Sequence, residues 1–319
     1  MSRAKTIAHQ WLTTDEAMGA VEVPIPRQVT AALRGSTAVT KAAGSGRAAA
    51  APAMQFRQFI PRPVPVRPAH APPAVEQSTI AAPSKAASAA PGPEAALPPV
   101  PAGSIGDEPQ LTRAEKIQRL AALAAEADKD LASHLSDVAT RVVFGEGDPG
   151  ARLMFIGEGP GLEEDRTGRP FVGRAGQLLD KMIVAMGFTR EKVYIGNICK
   201  LRAASWDDLA KRLKDRPPTT AEAALGLPWL HQQIAIIQPR VIVTLGLPAI
   251  RYLVGVTENM GALRGHWHEY RGIAVMPTYH PAYLLRAYSP ENRGKVWSDL
   301  QAVVRRLKEM DKDGSGAAG

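Results

Sequence analysis

Four short, continuous apolar runs, at residues 153–156, 193–195, 241–245 and 273–276, dominate what this chain can fold into. Each is bounded by turn-forming residues. Continuous rather than alternating apolarity marks strands buried on both faces. Helix-periodic stretches at residues 177–186, 221–237 and 249–253 lie between the runs and supply the crossovers that parallel strands require. The expectation is an α/β protein built on a central four-stranded parallel sheet with helices on both faces. Upstream, Thr112 and Glu115 have the spacing of a capping box, and Ile117, Leu120, Leu123 and Ala124 recur at helical period. That pattern predicts an amphipathic helix running towards the mid-130s, before the extended residues 141–144. A closing helix is predicted over residues 296–307.

The first third of the 319 residues is different in kind. Residues 1–108 hold long Ala/Pro runs with no sustained period and few large apolar side chains. Such a segment cannot bury enough surface to offset its chain entropy, so a disordered tail is expected. A single globular domain is expected over residues 109–310, with a frayed end at 311–319; about 200 residues suffice for one core. Residues 7–25 are the only tail segment with bulky apolar side chains, so they are either a short motif for a protein partner or a helical remnant without a role. Residues 62–68 favour extended polyproline II, which suits a spacer.

Lys and Arg number 39 against 31 Asp and Glu, a net charge of +8, compatible with a polyanionic partner and equally with a soluble basic protein. The lone cysteine, Cys199, excludes an intrachain disulfide and suits a reducing cytosol. No apolar run approaches the roughly 18 residues of a membrane span, and the N-terminus lacks a signal-peptide core. A cytoplasmic protein with no membrane association is expected.

The first run leads into residues 157–176, GEGPGLEEDRTGRPFVGRAG, a loop with four acids, two prolines, six glycines and one phenylalanine. It is not a phosphate-binding P-loop, because no Gly-Lys-Ser/Thr follows. The other runs lead to Asn197, to Gly246, and to Thr278-Tyr279-His280-Pro281. Strand ends of a parallel sheet share one edge, where ligands of open α/β sheets sit. Alone, each element has a plainer explanation: a tight turn at 157–161, a turn cap at Asn197, a core ring at Phe171, a rigid His280-Pro281 loop. Together they predict one crevice lined by a carboxylate, an amide, an aromatic ring and an imidazole.

The set GEGPG, EED, GRPFVGRAG, YIGN, VIVTLG, RGHWHE and MPTYHPAYLLR resembles the family 4 uracil-DNA glycosylases over about residues 143–307. The resemblance implies a three-layer α/β/α sandwich and release of uracil from DNA by a base-excision repair enzyme acting as a monomer, associated with the nucleoid during repair. It implies that Phe171 stacks on the extruded uracil, Asn197 reads its edge, and His280 stabilises charge on O2. Glu158 and Glu164 match acids of the first motif, which respectively assist catalysis and lie against C5 of the base. Gly159 and Gly161 line the substrate pocket. Pro281, Tyr283, Leu284, Leu285 and Arg286 match the loop that presses into DNA, with Arg174 and Arg264 as further basic contacts.

Members of that family carry a four-iron, four-sulfur cluster on four cysteines. Residues 128–139 hold none of the upstream pair, Leu201 stands at the third place, and the fourth falls near Gly226-Leu227-Pro228. No metal or cofactor is therefore expected. Residues 203–215 read as an inserted amphipathic helix with Trp206, Leu209 and Leu213 on one side, expected to replace the cluster by apolar packing with Leu201. Two other functions stay open on sequence: a catalytically silent DNA-binding relative, and a glycosylase for another deaminated base such as hypoxanthine or xanthine.

Overall fold

The computed structural model describes residues 99–316, so the expectations for tail disorder, for residues 7–25 and for the polyproline stretch lie outside the described residues. In chain order the elements are α1 (Arg113–Leu131), β1 (Glu146–Gly147), β2 (Leu153–Gly157), α2 (Leu162–Thr167), α3 (Arg174–Ala185), β3 (Tyr194–Asn197), β4 (Ala204–Asp207) and β5 (Arg212–Asp215). They continue as α4 (Thr220–Ile237), β6 (Val241–Leu245), α5 (Leu247–Val254), α6 (Met260–Leu263), β7 (His268–Tyr270), β8 (Ile273–Thr278), α7 (Pro281–Arg286) and α8 (Pro290–Gly316).

The main sheet has the order β1-β3-β2-β6-β8-β7. Its inner strands β3, β2, β6 and β8 are parallel, as expected, and β1 and β7 add antiparallel edges. Those edges are two and three residues long, too short to show a period in the sequence.

Alternation along the buried strands builds two apolar layers. Met154 and Ile156 of β2, Ile242 of β6 and Val275 of β8 pack with Leu227, Leu230 and Ile234 of α4 and with Ile250 and Leu253 of α5. Leu153, Phe155, Val243 and Met276 pack the other way, onto Leu179, Met182 and Ile183 of α3 and Val296, Leu300 and Val303 of α8. This is the three-layer sandwich. Each fully buried Leu, Ile or Met contributes roughly 1.5–3 kcal/mol.

The helix starts follow their caps. Thr112 and Glu115 form the expected capping box of α1, and Thr219 and Glu222 form another at α4. Contacts of the globular unit reach upstream of residue 109. Ile105 is buried, its N–H donates to Arg271 O at 2.8 Å, and Glu108 pairs with Arg271. At the other end α8 continues past residue 311, and Asp311 pairs with Arg152 and Arg240.

Residues 203–215 correct the sequence reading. They form the antiparallel hairpin β4–β5, with Trp206 opposite Leu213, and not a helix. Turn chemistry overrides the helical spacing: Asp207 Oδ1 accepts from the Leu209 and Ala210 N–H groups at 3.0 and 2.9 Å, and Lys211 turns the chain at φ 50°. Trp206 is 58% exposed and Leu209 98%, so no apolar packing replaces a cluster there. The hairpin is held at its root, where Arg202 Nε donates to Asp215 Oδ1 at 2.7 Å and Arg216 N donates to Ala203 O.

Candidate active site

The parallel register brings the strand ends to one edge: Gly157 pairs with Asn197, and Leu245 with Thr278. Two glycines make room there. A Cβ on Gly157 would overlap both Asn197 Oδ1 and the Phe171 ring. Gly246, at φ 92°, would place a Cβ 3.2 Å from His280 Cβ. The Phe171 and His280 rings stand 5.7 Å apart and 30° tilted. The four strand ends thus bring Phe171, Asn197 and His280 together at one edge of the sheet, where they form the candidate pocket.

Asn197 is 1% exposed, and its Oδ1 is buried with no hydrogen-bond partner within the described residues. A buried amide oxygen left unpaired costs about 1–3 kcal/mol, so it marks a place built for a polar ligand. Beneath it, the buried Lys200 Nζ donates to Asn197 O at 3.0 Å, to Phe144 O at 3.1 Å and to Gln233 Oε1 at 2.7 Å. Burial pulls the Lys200 ammonium down to about 7. Lys200 was not singled out in the sequence, because an isolated lysine after an apolar run carries no pattern.

His280 caps α7 and accepts the Ala282 N–H at Nδ1, 3.0 Å away. The accepting nitrogen carries no proton, so the neutral ring carries it on Nε2. Burial, assisted by the Arg286 charge, lowers its pKa to about 4. His280 is therefore a neutral N–H donor at physiological pH.

Glu158 follows Gly157, and its carboxylate makes no hydrogen bond or ion pair within the described residues. Burial raises its pKa above the ordinary value, and the nearby Arg286 charge partly opposes this.

Glu164 sits differently from the sequence expectation. Its Oε1 accepts from Val172 N at 2.8 Å and Gly173 N at 2.9 Å, and its Oε2 accepts from Gly161 N at 3.1 Å. This carboxylate ties the loop to itself and is not an acid presented to a ligand. The Gly161 N–H is taken by the same clamp, whereas a Cβ on Gly159 would come within 3.4 Å of Cys199 Cβ.

Phe171 adopts φ 51°, a left-handed conformation that costs a non-glycine residue of order 1–3 kcal/mol and persists only when its surroundings impose it. Gly176 lies so close to the Phe171 carbonyl that a Cβ there would overlap it. Arg190 Nη1 donates to Phe171 O at 3.2 Å, and Nη2 to Pro170 O at 2.5 Å. Nothing local in the sequence announces Arg190, which lies 19 residues beyond its partner.

The residues expected to face DNA divide. Arg174, Tyr283 and Arg286 are exposed, and Leu285 is half-buried. Leu284 is 2% exposed and lies in the core with Phe171, and Pro281 is buried as the first residue of α7, so neither is presented. The helix explains this, because only one of its faces can turn outward. Arg264 is also withdrawn: it pairs with buried Asp299, donates to Lys295 O at 2.8 Å and lies over the Tyr279 ring. Asp299 in turn accepts from Thr278 Oγ1 at 2.7 Å, two residues before His280.

The residues at the places of the cluster cysteines do not fit an iron–sulfur cluster. A cavity of about 300 Å³ there is lined by Leu131, Val138, Ala139, Leu201 and Gly226, among others. A Cβ on Gly226 would overlap Ile198 O, which leaves no room for any side chain. The single thiol, Cys199, is buried and pushed up to about 12 by that burial, the opposite of what a thiolate ligand needs. Among the described residues no group of three or more His, Cys, Asp or Glu could hold a metal ion. Nor is any helix among them long and apolar enough to cross a membrane.

Known proteins resemble the chain over this region. The family model of the uracil DNA glycosylase superfamily matches residues 144–301, a span that contains the whole pocket. A type-4 uracil-DNA glycosylase of Thermotoga maritima is 43% identical over 172 residues, 53% of this chain and 85% of that protein. Type-4 uracil-DNA glycosylases of Sulfurisphaera tokodaii and Saccharolobus solfataricus are 39% and 38% identical, over 51% and 52% of this chain and 74% and 76% of theirs. With its sandwich fold, its strand-end pocket and these relatives, the chain belongs to the uracil-DNA glycosylase superfamily, in the type-4 family.

Proposed function

We propose that this protein is a DNA-repair hydrolase that extrudes uracil from DNA and cleaves its N-glycosidic bond, leaving an abasic site. The observation that carries the reading is the buried, unpartnered Oδ1 of Asn197, set beside an aromatic face and a neutral imidazole donor.

A base inside a duplex is out of reach, so it must be turned out at a cost of a few kcal/mol. Stacking on Phe171 recovers roughly 1–3 kcal/mol. The Asn197 amide offers one acceptor and one donor. Uracil presents N3–H and O4 to them, whereas cytosine reverses both, leaving buried polar groups unpaired and so being rejected. As the bond breaks, negative charge develops on O2 and positive charge on the sugar. The Nε2–H of neutral His280 is suited to the first, because a preformed donor in a dry pocket needs no reorganisation. The Glu158 carboxylate, free of protein partners, stabilises the sugar cation or orients water. Glu164 holds the loop, and the exposed Arg174 and Arg286 contact phosphates. No step requires a metal.

The test uses oligonucleotides with a single uracil, hypoxanthine or xanthine, followed by alkaline cleavage of abasic sites. Cleavage at uracil is expected. Cleavage only at another base would reassign the pocket, and salt-sensitive binding without cleavage of any substrate would make the protein a silent DNA binder.

A further inference from the structure

We propose that Arg190 is the positioning residue of the pocket's aromatic face: its guanidinium holds the left-handed turn at Phe171 and so sets where an extruded base stacks. The inference rests on the reading above, because it concerns how that pocket is shaped.

The Phe171 backbone, at φ 51°, does not hold itself. On its far side Glu164 fixes the next two N–H groups, those of Val172 and Gly173. On its near side the successive carbonyls of Pro170 and Phe171 both point at Arg190, which donates one N–H to each. Peptide planes on both sides of the strained residue are thereby fixed, and with them the direction of its side chain. The ring can then lie against Gly157 and face His280.

Arg190 is oriented in turn from two other elements. Its Nε donates to Glu146 Oε1 of β1 at 2.9 Å, and its Nη1 to Asp180 Oδ1 of α3 at 2.7 Å. Glu146 is also gripped by Arg169, at 2.7 and 3.1 Å, one residue before Pro170. Only a guanidinium suits this place. It presents five N–H groups in one plane, enough for two carboxylates and two carbonyls, and it stays charged. A lysine would keep the charge but could not serve all four acceptors.

The consequence concerns the base and not DNA affinity. Phosphate contacts lie elsewhere, so a loosened Phe171 leaves DNA binding intact and lowers the fraction of bound complexes with a stacked, correctly placed base. Three variants of the full chain separate this from a purely structural role. In Arg190→Gln the carbonyl bonds and both ion pairs change. In Arg190→Lys the charge remains and the paired carbonyl bonds do not. In Arg271→Gln an ion pair with Glu108 is lost at the other end of β8, and the carbonyl bonds of Arg190 remain. Single-turnover uracil release at saturating enzyme should fall by about tenfold to a hundredfold in the two Arg190 variants, the penalty of misplacing a reacting group by about 1 Å. Their Kd for uracil DNA should stay within about twofold of wild type, and 2-aminopurine beside the uracil should report a smaller extruded fraction. Arg271→Gln should keep the wild-type rate within about twofold. Folded Arg190 variants with wild-type rates would overturn the proposal, as would rate losses that merely follow the drop in melting temperature across all three. If Arg190→Gln does not fold, Arg190→Lys decides. A wild-type protein that releases no uracil overturns the functional reading itself, a different result from an active wild type matched by its Arg190 variants.

Discussion

At the scale of single residues, the two ionisable groups of the pocket are displaced in opposite directions, and this sets the acid side of the pH profile. In the proposed mechanism Glu158 serves as an anion, and burial raises its pKa, so activity should begin to fall at a pH above the ordinary glutamate range. The same mechanism uses His280 as a neutral donor; burial pushes it down to about 4, so it should stay neutral well below the pH at which a free histidine protonates. Protonation at Nδ1 would also remove the acceptor of the Ala282 N–H and uncap α7. Single-turnover rates measured from pH 4 to 8 should therefore show a first loss from Glu158, with a second only near pH 4. In Glu158→Gln the upper limb should vanish while the lower remains. A break near pH 6.5 in both proteins would contradict the neutral-histidine reading. A second residue-scale test concerns Gly157→Ala, whose Cβ would displace both the Asn197 amide and the Phe171 ring. Release should drop about a hundredfold, and overpacking against two buried side chains should also cost about 1–3 kcal/mol of stability; an unimpaired, folded variant would argue against the pocket. Asn197, Phe171 and His280 were legible in sequence because each ends a strand or lies in the loop after one. Arg190, Lys200 and Asp299 were not, since each acts through a partner 19 to 33 residues away and leaves no local pattern.

Legibility at the scale of elements followed length and periodicity. The inner strands and long helices α1, α3, α4 and α8 each present a buried face long enough to show its period. Helix α7 was read as a DNA-facing loop, because six residues after His280-Pro281 carry no repeat, and so Leu284 was assigned outward when it packs into the core. The hairpin β4–β5 failed for the opposite reason: Trp206, Leu209 and Leu213 have helical spacing by accident, and the Asp207 turn prevails. Its exposed apolar residues should matter little to folding. Trp206→Ser and Leu209→Ser are each expected within about 0.5 kcal/mol of wild type in chemical denaturation. Arg202→Met, by contrast, removes a buried guanidinium from Asp215 at the hairpin root and should cost more, of order 1 kcal/mol, or roughly 2–4 °C in a domain this size. Equal losses at Trp206 and Arg202 would restore the hairpin as an apolar brace.

For the whole molecule, the question is whether this core and its pocket stand without a metal. Two apolar layers flank a sheet whose inner strands are wholly buried, and about 200 residues can support such a core unaided. Around the cavity bounded by Leu131, Leu201 and Gly226, the connections are ionic and hydrogen-bonded: Arg202 with Asp215, Arg216 with Glu222, and Asp165 with the Thr140 hydroxyl and N–H. Asp165 ties the segment after α1 to the pocket loop, and the two ion pairs tie the hairpin root to itself and to the start of α4, close to the places where the cluster cysteines would stand. The pocket rests on glycine clearances, the Glu164 clamp and the Arg190 and Lys200 hydrogen bonds, none of which involves a thiolate. Protein purified anaerobically from iron-supplemented cells should therefore contain far less than one iron per chain and lack the broad visible absorbance of a cluster. It should release uracil at the same rate before and after dialysis against a chelator. About four irons and four sulfides per chain, or activity lost on chelation, would show that another ligand set holds a cluster and that the ionic bracing is not its substitute.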